Sequence, residues 1–221
     1  MPKTEPSDQP VGQRPDQATV GPRSRKGEET KARLVEAAKR VFEDAGFLDA
    51  RISDIAKGAG LSHGSFYHYF DSKEQIFREI AEQQEELLTA PADEGDAADV
   101  DEFGRLLRAN RRYLERYREH ARIMGVIEEV SRYDGHVRDA RMRRQKHFAD
   151  RAERAIRRMQ QDGTASAEID AEIAAVALGA MVARFAEVWF TDGWGDYDFD
   201  AATRQLTLLW ANAIGLDPGR G

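Results

Sequence analysis

The segment from Ile52 to Phe77 leaves the chain few ways to fold, because short apolar repeats are broken by a single glycine turn and then resume. Ile52, Ile55, Ala56 and Ala59 recur at i, i+3, i+4 and i+7, the spacing of one helical face. Gly60 follows, where a helix C-terminus needs a residue tolerant of positive φ. Ser62 can cap a second helix whose buried side comes from Phe66, Tyr69 and Phe70. Ser72-Lys73-Glu74-Gln75 then has the form of a capping box that opens a third helix. Two short helices joined by a Gly-containing turn make a helix-turn-helix, the unit that sets its second helix in a DNA major groove.

The composition of that second helix suits a nucleic-acid surface. From Ile55 to Phe70 there is no carboxylate, and acids there would repel the phosphate backbone. His63 and Ser65 sit in the first helical turn, the end that reaches base edges, with Ser62 beside them as the cap. Gly64 removes a side chain where backbone must come close to the duplex. Tyr67 and His68 lie further along, in reach of phosphate or sugar oxygens. Lys73 is a cation at a helix N-terminus, against the macrodipole, and a phosphate lying across both would account for it. The same three helices could instead dock a protein partner, and periodicity by itself leaves that alternative open.

Residues 30–80 resemble the DNA-binding domain of the TetR family of bacterial transcriptional regulators. The resemblance rests on Ala37-Ala38 through Phe42, Gly46-Phe47, Asp54-Ile55-Ala56, Ala59-Gly60-Leu61-Ser62, Gly64-Ser65-Phe66-Tyr67-His68-Tyr69-Phe70 and Ser72-Lys73-Glu74. One departure is Ala50-Arg51, where the family usually has Thr or Ser before its second helix. The capping hydroxyl lost there is worth about 1 kcal/mol, and Arg51 is free to reach a phosphate instead. The resemblance implies an all-α chain: a three-helix helix-turn-helix head, then a helical ligand-binding and dimerisation body. It also implies a homodimer joined through a four-helix interface.

Charge and composition narrow the function class. The net charge of −7 is unevenly placed: residues 1–80 hold thirteen basic and thirteen acidic groups, so the whole excess lies beyond them. An acidic body behind a neutral head orients the molecule on DNA. With no cysteine, disulfides and thiolate metal sites are excluded. No signal-like N-terminal segment is apparent, and the charge-free apolar run from Ile173 to Ala183 reads as too short to span a bilayer. A cytoplasmic protein with no membrane partner is the expectation. Nothing matches a phosphate-binding loop, a Gly-x-Ser-x-Gly elbow or a His-Glu-x-x-His zinc motif, so no enzyme activity and no cofactor are expected. His136 and His147 are three turns apart, too far for one metal.

Three segments follow from the pattern. Residues 1–28 carry five of the seven prolines and few apolar groups, and read as a disordered arm whose end bears Arg23, Arg25 and Lys26. Residues 29–80 form the DNA-binding domain. Its first helix begins near Thr30, with Leu34, Ala37, Ala38, Val41, Phe42 and Ala45 on one face, and ends at Gly46. Residues 81–221 form the body, beyond an acidic boundary at Pro91 to Asp96. Helices are predicted around Phe103 to Tyr117, around Met124 to Val130, from Val137 to Gln161, and over 168–191 and 198–215.

In the last two helices, Ala175, Gly179, Ala183 and Ala186 repeat small residues, and Leu206, Leu209, Trp210, Ala213 and Leu216 form an apolar seam. They are the expected dimer interface, though each also suits a core. An effector pocket between helices needs apolar walls and a few polar groups. Asn110, Tyr113, Tyr117, Met124, Phe148, Met181, Phe185 and Trp189 are candidate lining, with Arg144 and Arg151 suited to an acidic group on the effector. Against that last reading, nine of the residues from Arg138 to Arg158 are basic, which also describes a solvated face. The function expected is a homodimeric repressor on a palindromic operator, released by a largely apolar small molecule. A ligand-dependent activator or a protein-docking module are the alternatives.

Overall fold

The computed structural model describes residues 25–90 and 100–217, and only helices occur among them. The head comprises α1 (Arg25–Asp49), α2 (Ile52–Gly58) and α3 (His63–Phe66), packed against the start of α4 (Lys73–Thr89). The body comprises α5 (Glu102–Glu119), α6 (Ala121–Val130), α7 (Gly135–Gln161), α8 (Ala171–Ala186) and α9 (Phe199–Ala213). Helix α8 runs directly into a π-helical turn, Glu187–Thr191.

Helix α1 starts at Arg25, several residues before the expected Thr30, so Arg25 and Lys26 are helical rather than part of an arm. A salt bridge from Arg25 to Glu29 (3.3 Å) and the Thr30 hydroxyl donated to the Lys26 carbonyl (2.8 Å) occupy that first stretch. The rest of the expected arm, residues 1–24, and the expected boundary at Pro91 to Asp96 lie outside the described residues. At Gly46 the backbone leaves helical geometry with φ 73°, and a further turn carries Phe47 back onto the head. Phe42, Phe47 and Phe77 then meet as an aromatic trio, with ring centroids 4.9–5.7 Å apart. Each such pair adds roughly 0.5–1.5 kcal/mol beyond its burial.

Side-chain caps set most helix starts. Ser62, Ser72, Asp101, Asp134, Asp170 and Asp198 each accept a backbone N–H of the first turn they precede. Arg51, at the start of α2, makes no such bond, as the missing hydroxyl predicts. The box at Ser72 closes one residue early: the Gln75 side chain accepts from the Asp71 N–H (2.5 Å) rather than from Ser72.

Head and body meet through α1 against α6 and α4 against α7. Arg122 of α6 donates to the Asp44 carboxylate (2.7 Å) and the Glu43 carbonyl (3.1 Å) of α1. Lys39 of α1 donates to His120 Nδ1 at the α5–α6 junction (3.2 Å). Arg78 of α4 grips Asp134 through Nε and Nη2 (3.1 and 2.8 Å). Asp134 also caps α7, so one carboxylate links the two helices. Burial opposes its ionisation, but the Arg78 hydrogen bond, the Val137 N–H and the Arg78 charge hold its carboxyl below the usual range.

Candidate DNA interface and effector pocket

The second helix of the head is four residues long and is aimed by its anchors. Phe66 and Phe70 are buried in the head, and Tyr69 is half-buried beside them. Ser62, His63, Gly64, Tyr67 and His68 are consequently exposed, with Tyr67 at 49%. Ser65 is half-buried, its hydroxyl 2.7 Å from Ser62 Oγ. Gly60 has φ 67°, and the Leu61 N–H returns to the Ala56 carbonyl (2.9 Å), closing the turn expected at this glycine. Arg33 of α1 donates to the Ala59 carbonyl and so ties α1 to the same turn. A Cβ built on Gly64 would meet nothing within 4 Å, so the protein's own packing does not demand glycine there. Arg51 is exposed at the start of α2.

Lys73 is engaged differently from the sequence expectation. Its ammonium donates to the carbonyls of Phe47 (2.7 Å), Leu48 (2.9 Å) and Ala50 (3.1 Å). The same nitrogen lies 4.8 Å from the centroid of the Phe47 ring. An ammonium has three N–H donors, and three carbonyls already face it. The cation at the start of α4 is therefore placed at the C-terminal end of α1, where a positive charge is favourable.

In the body, α5, α7 and α8 with Trp210 of α9 enclose an open pocket of about 880 Å³. Of the expected lining, Asn110, Tyr113, Arg144, Phe148 and Arg151 border it. Tyr117, Met124, Met181, Phe185 and Trp189 do not, because they serve the core. Tyr117 turns its hydroxyl toward Thr191 (3.5 Å), and burial pushes its phenol well above the usual range. Met124 is fully buried in α6. Phe185 and Trp189 pack on each other and on Tyr197, while Met181 packs against the core from α8.

Two polar members of the pocket are already satisfied. The Asn110 amide donates to Thr207 Oγ1 (3.0 Å), which in turn donates to the Thr203 carbonyl, tying α5 to α9. Arg144 is buried and paired with Glu128 (3.1 Å), whose other carboxylate oxygen takes Arg141. Of the two arginines expected to share one anion, both line the pocket, but Arg144 has its charge compensated by Glu128. Arg112 of α5 lines the pocket and was not singled out in the sequence, where it is one of several arginines on its helix.

Residues 34–80 match the family described as bacterial regulatory proteins, tetR family. That segment is a TetR-type helix-turn-helix domain. The relatives that the chain matches are helix-turn-helix transcriptional regulators. The chain is 51% identical over 55 residues to the regulator YdgC of Bacillus subtilis, a match covering 25% of this chain and 28% of YdgC. It is 28% identical over 173 residues to TtgR of Pseudomonas putida, covering 73% of this chain and 80% of TtgR. The fold is shared with FadR of Bacillus subtilis, solved in complex with stearoyl-CoA, at a TM-score of 0.68 and 17% identity; 84% of this chain and 99% of that one align. PfmR of Thermus thermophilus aligns at a TM-score of 0.66 and 22% identity, over 81% of this chain and 97% of that one.

The residues expected at the dimer interface divide. Ala175, Gly179, Ala183 and Trp210 border the pocket, and Ala186 and Leu206 are buried in the chain's own core. Leu209 is 59% exposed, and Ala213 is also exposed. Two residues that the small-residue pattern passed over, Ile173 and Val176, are 69% and 56% exposed. The helix they begin fills the stretch expected over 168–191. Continuous through its π-helical turn, Ala171–Thr191 is long and apolar enough by composition to cross a membrane, yet only 28% of that window is buried. The charge-free run ends before Arg184, and the helix continues past that exposed residue, which pairs with Glu187 (2.6 Å).

Proposed function

We propose that this chain is a TetR-family regulator, a cytoplasmic homodimeric repressor of a palindromic operator, released when a small molecule enters the pocket between α5, α7 and α8. The observation that carries the DNA part is the exposed set Ser62, His63, Gly64, Tyr67 and His68, held outward by buried Phe66 and Phe70 and free of carboxylates. His63 and Ser65 are assigned to base edges, Tyr67, His68 and Arg51 to the sugar-phosphate backbone. Dimerisation is supported by the uncovered apolar residues Ile173, Val176 and Leu209 on the last two helices. Effector binding is supported by the pocket volume, within the roughly 300–1,000 Å³ of small-molecule sites. FadR, which shares the fold, was solved with a bound acyl thioester.

The test is a mobility shift of the full chain on the DNA flanking its own gene, across a salt series. A saturable complex that outcompetes random duplex and weakens steeply with salt is expected. Failure to prefer any flanking sequence over random DNA would overturn the operator reading. Binding that appears only with added small molecule would make it a ligand-dependent activator or corepressed regulator instead.

A further inference from the structure

The pocket's lining mixes apolar residues with cations, and not every cation has a salt-bridge partner among the described residues. Leu106, Tyr113, Phe148 and Ala183 are among its apolar lining residues. Arg105 and Lys146 at its edge are answered by Glu102 (2.5 Å) and Asp150 (3.0 Å). Arg112 on α5 and Arg151 on α7 also line it, and neither makes an ion pair among the described residues. Arg112 is half-buried, and its guanidinium is destabilised by that burial, then by the charges of Arg151, Arg116 and Arg108, with Glu115 opposing. In a chain of net charge −7, two arginines from different helices are thus held at one cavity without a salt bridge to either among the described residues. Placing like charges together beside an apolar cavity costs free energy, which an anion held between them would offset.

We infer that the effector is an amphipathic anion, a carboxylate or phosphate on an apolar body, whose charged group is bound jointly by Arg112 and Arg151 while its apolar part lies on Phe148 and Tyr113. The guanidinium fork suits either oxyanion. This rests on the effector reading above and specifies its chemistry: neutral and cationic molecules of the same shape are discriminated against.

Calorimetric titration of the full chain uses octanoate, dodecanoate and hexadecanoate, each against the alcohol of the same chain length. At least one carboxylate is expected to bind about ten-fold or more tightly than its alcohol, with Arg112→Gln and Arg151→Gln each removing about ten-fold. Both variants should leave alcohol binding unchanged, which separates lost recognition from lost folding. Equal affinity for acid and alcohol, or carboxylate affinity that survives both substitutions, would overturn the anion site. Operator release is scored separately. A carboxylate that binds through the arginines without releasing DNA upholds the site and removes the release mechanism, while release by neutral compounds alone does the reverse.

Discussion

Lys73 and Gly64 occupy one small domain and answer to different constraints. The Lys73 ammonium is saturated by three carbonyls at the end of α1, and its stem and charge lie over Phe47. Hydrogen bonds to a charged group are worth roughly 1.5–3 kcal/mol each when partly buried, though the three share one desolvation cost. Lys73→Met keeps the stem over the ring and removes the donors, and is expected to lower the urea midpoint by about 1–3 kcal/mol of stability. The salt dependence of operator binding should stay within error of wild type. A slope shallower by about one would restore the phosphate contact that the sequence suggested. Gly64→Ala is the converse case. Its Cβ enters open space, so the free protein should be as stable as wild type or slightly more so. If the backbone at Gly64 approaches the duplex, that methyl group will cut operator affinity by ten-fold or more, an effect read in the mobility shift against an unchanged melting curve. The contrast also marks what was readable. Gly64, Ser62 and Gly60 announce themselves through local rules of turns and caps. Lys73 could not, because its partners lie 23–26 residues earlier in the chain.

At the scale of elements, the helix pattern was legible almost throughout, since it depends on apolar spacing and on caps such as Asp134, Asp170 and Asp198. Which face of each helix meets which neighbour was not. Asn110 reaches Thr207 across 97 residues, and Glu128 selects Arg144 and Arg141 from a run of cations that look alike in sequence. The α1–α6 contact holds another such pairing. Lys39 can only donate, so His120 Nδ1 must be unprotonated to accept. Burial first, then the Lys39 charge, lowers the His120 imidazole below its ordinary pKa, with Glu119 opposing. Because the folded value is depressed, the contribution of His120 is fully present above the ordinary pKa of about 6.5. It is lost as pH falls through the lower folded value, where the ring becomes a second cation facing Lys39. Stability of the full chain should therefore drop between about pH 7 and pH 5 in a way that His120→Gln flattens. A pH profile of urea midpoints that is superimposable for wild type and variant would show that the pairing does not couple α1 to α6.

For the whole molecule, the deciding fact is an apolar helix left uncovered. With Ile173, Val176 and Leu209 all more than half exposed, the chain presents to solvent the residue types that others bury. Membrane insertion of Ala171–Thr191 would strand Glu172, Arg184 and Glu187 in hydrocarbon at a cost of a few kcal/mol each, whereas the proposed second copy would cover the apolar residues and leave those charges wet. Two heads fixed in this way can occupy half-sites one helical turn apart, roughly 34 Å, and the second head then binds at high effective concentration. Ile173→Asp with Leu209→Asp is expected to give a monomer by light scattering. Helical circular dichroism should be retained, because neither side chain is part of the subunit's own core. Loss of the second head should weaken operator binding by about 10²–10⁴-fold while single-half-site binding is unchanged. A dimer that survives both charges would place the interface elsewhere and leave the exposed residues of α8 and α9 without a partner of the same kind. A monomer that still binds the full operator at wild-type affinity would mean that one head suffices, and the two-headed mechanism of release would fall with it.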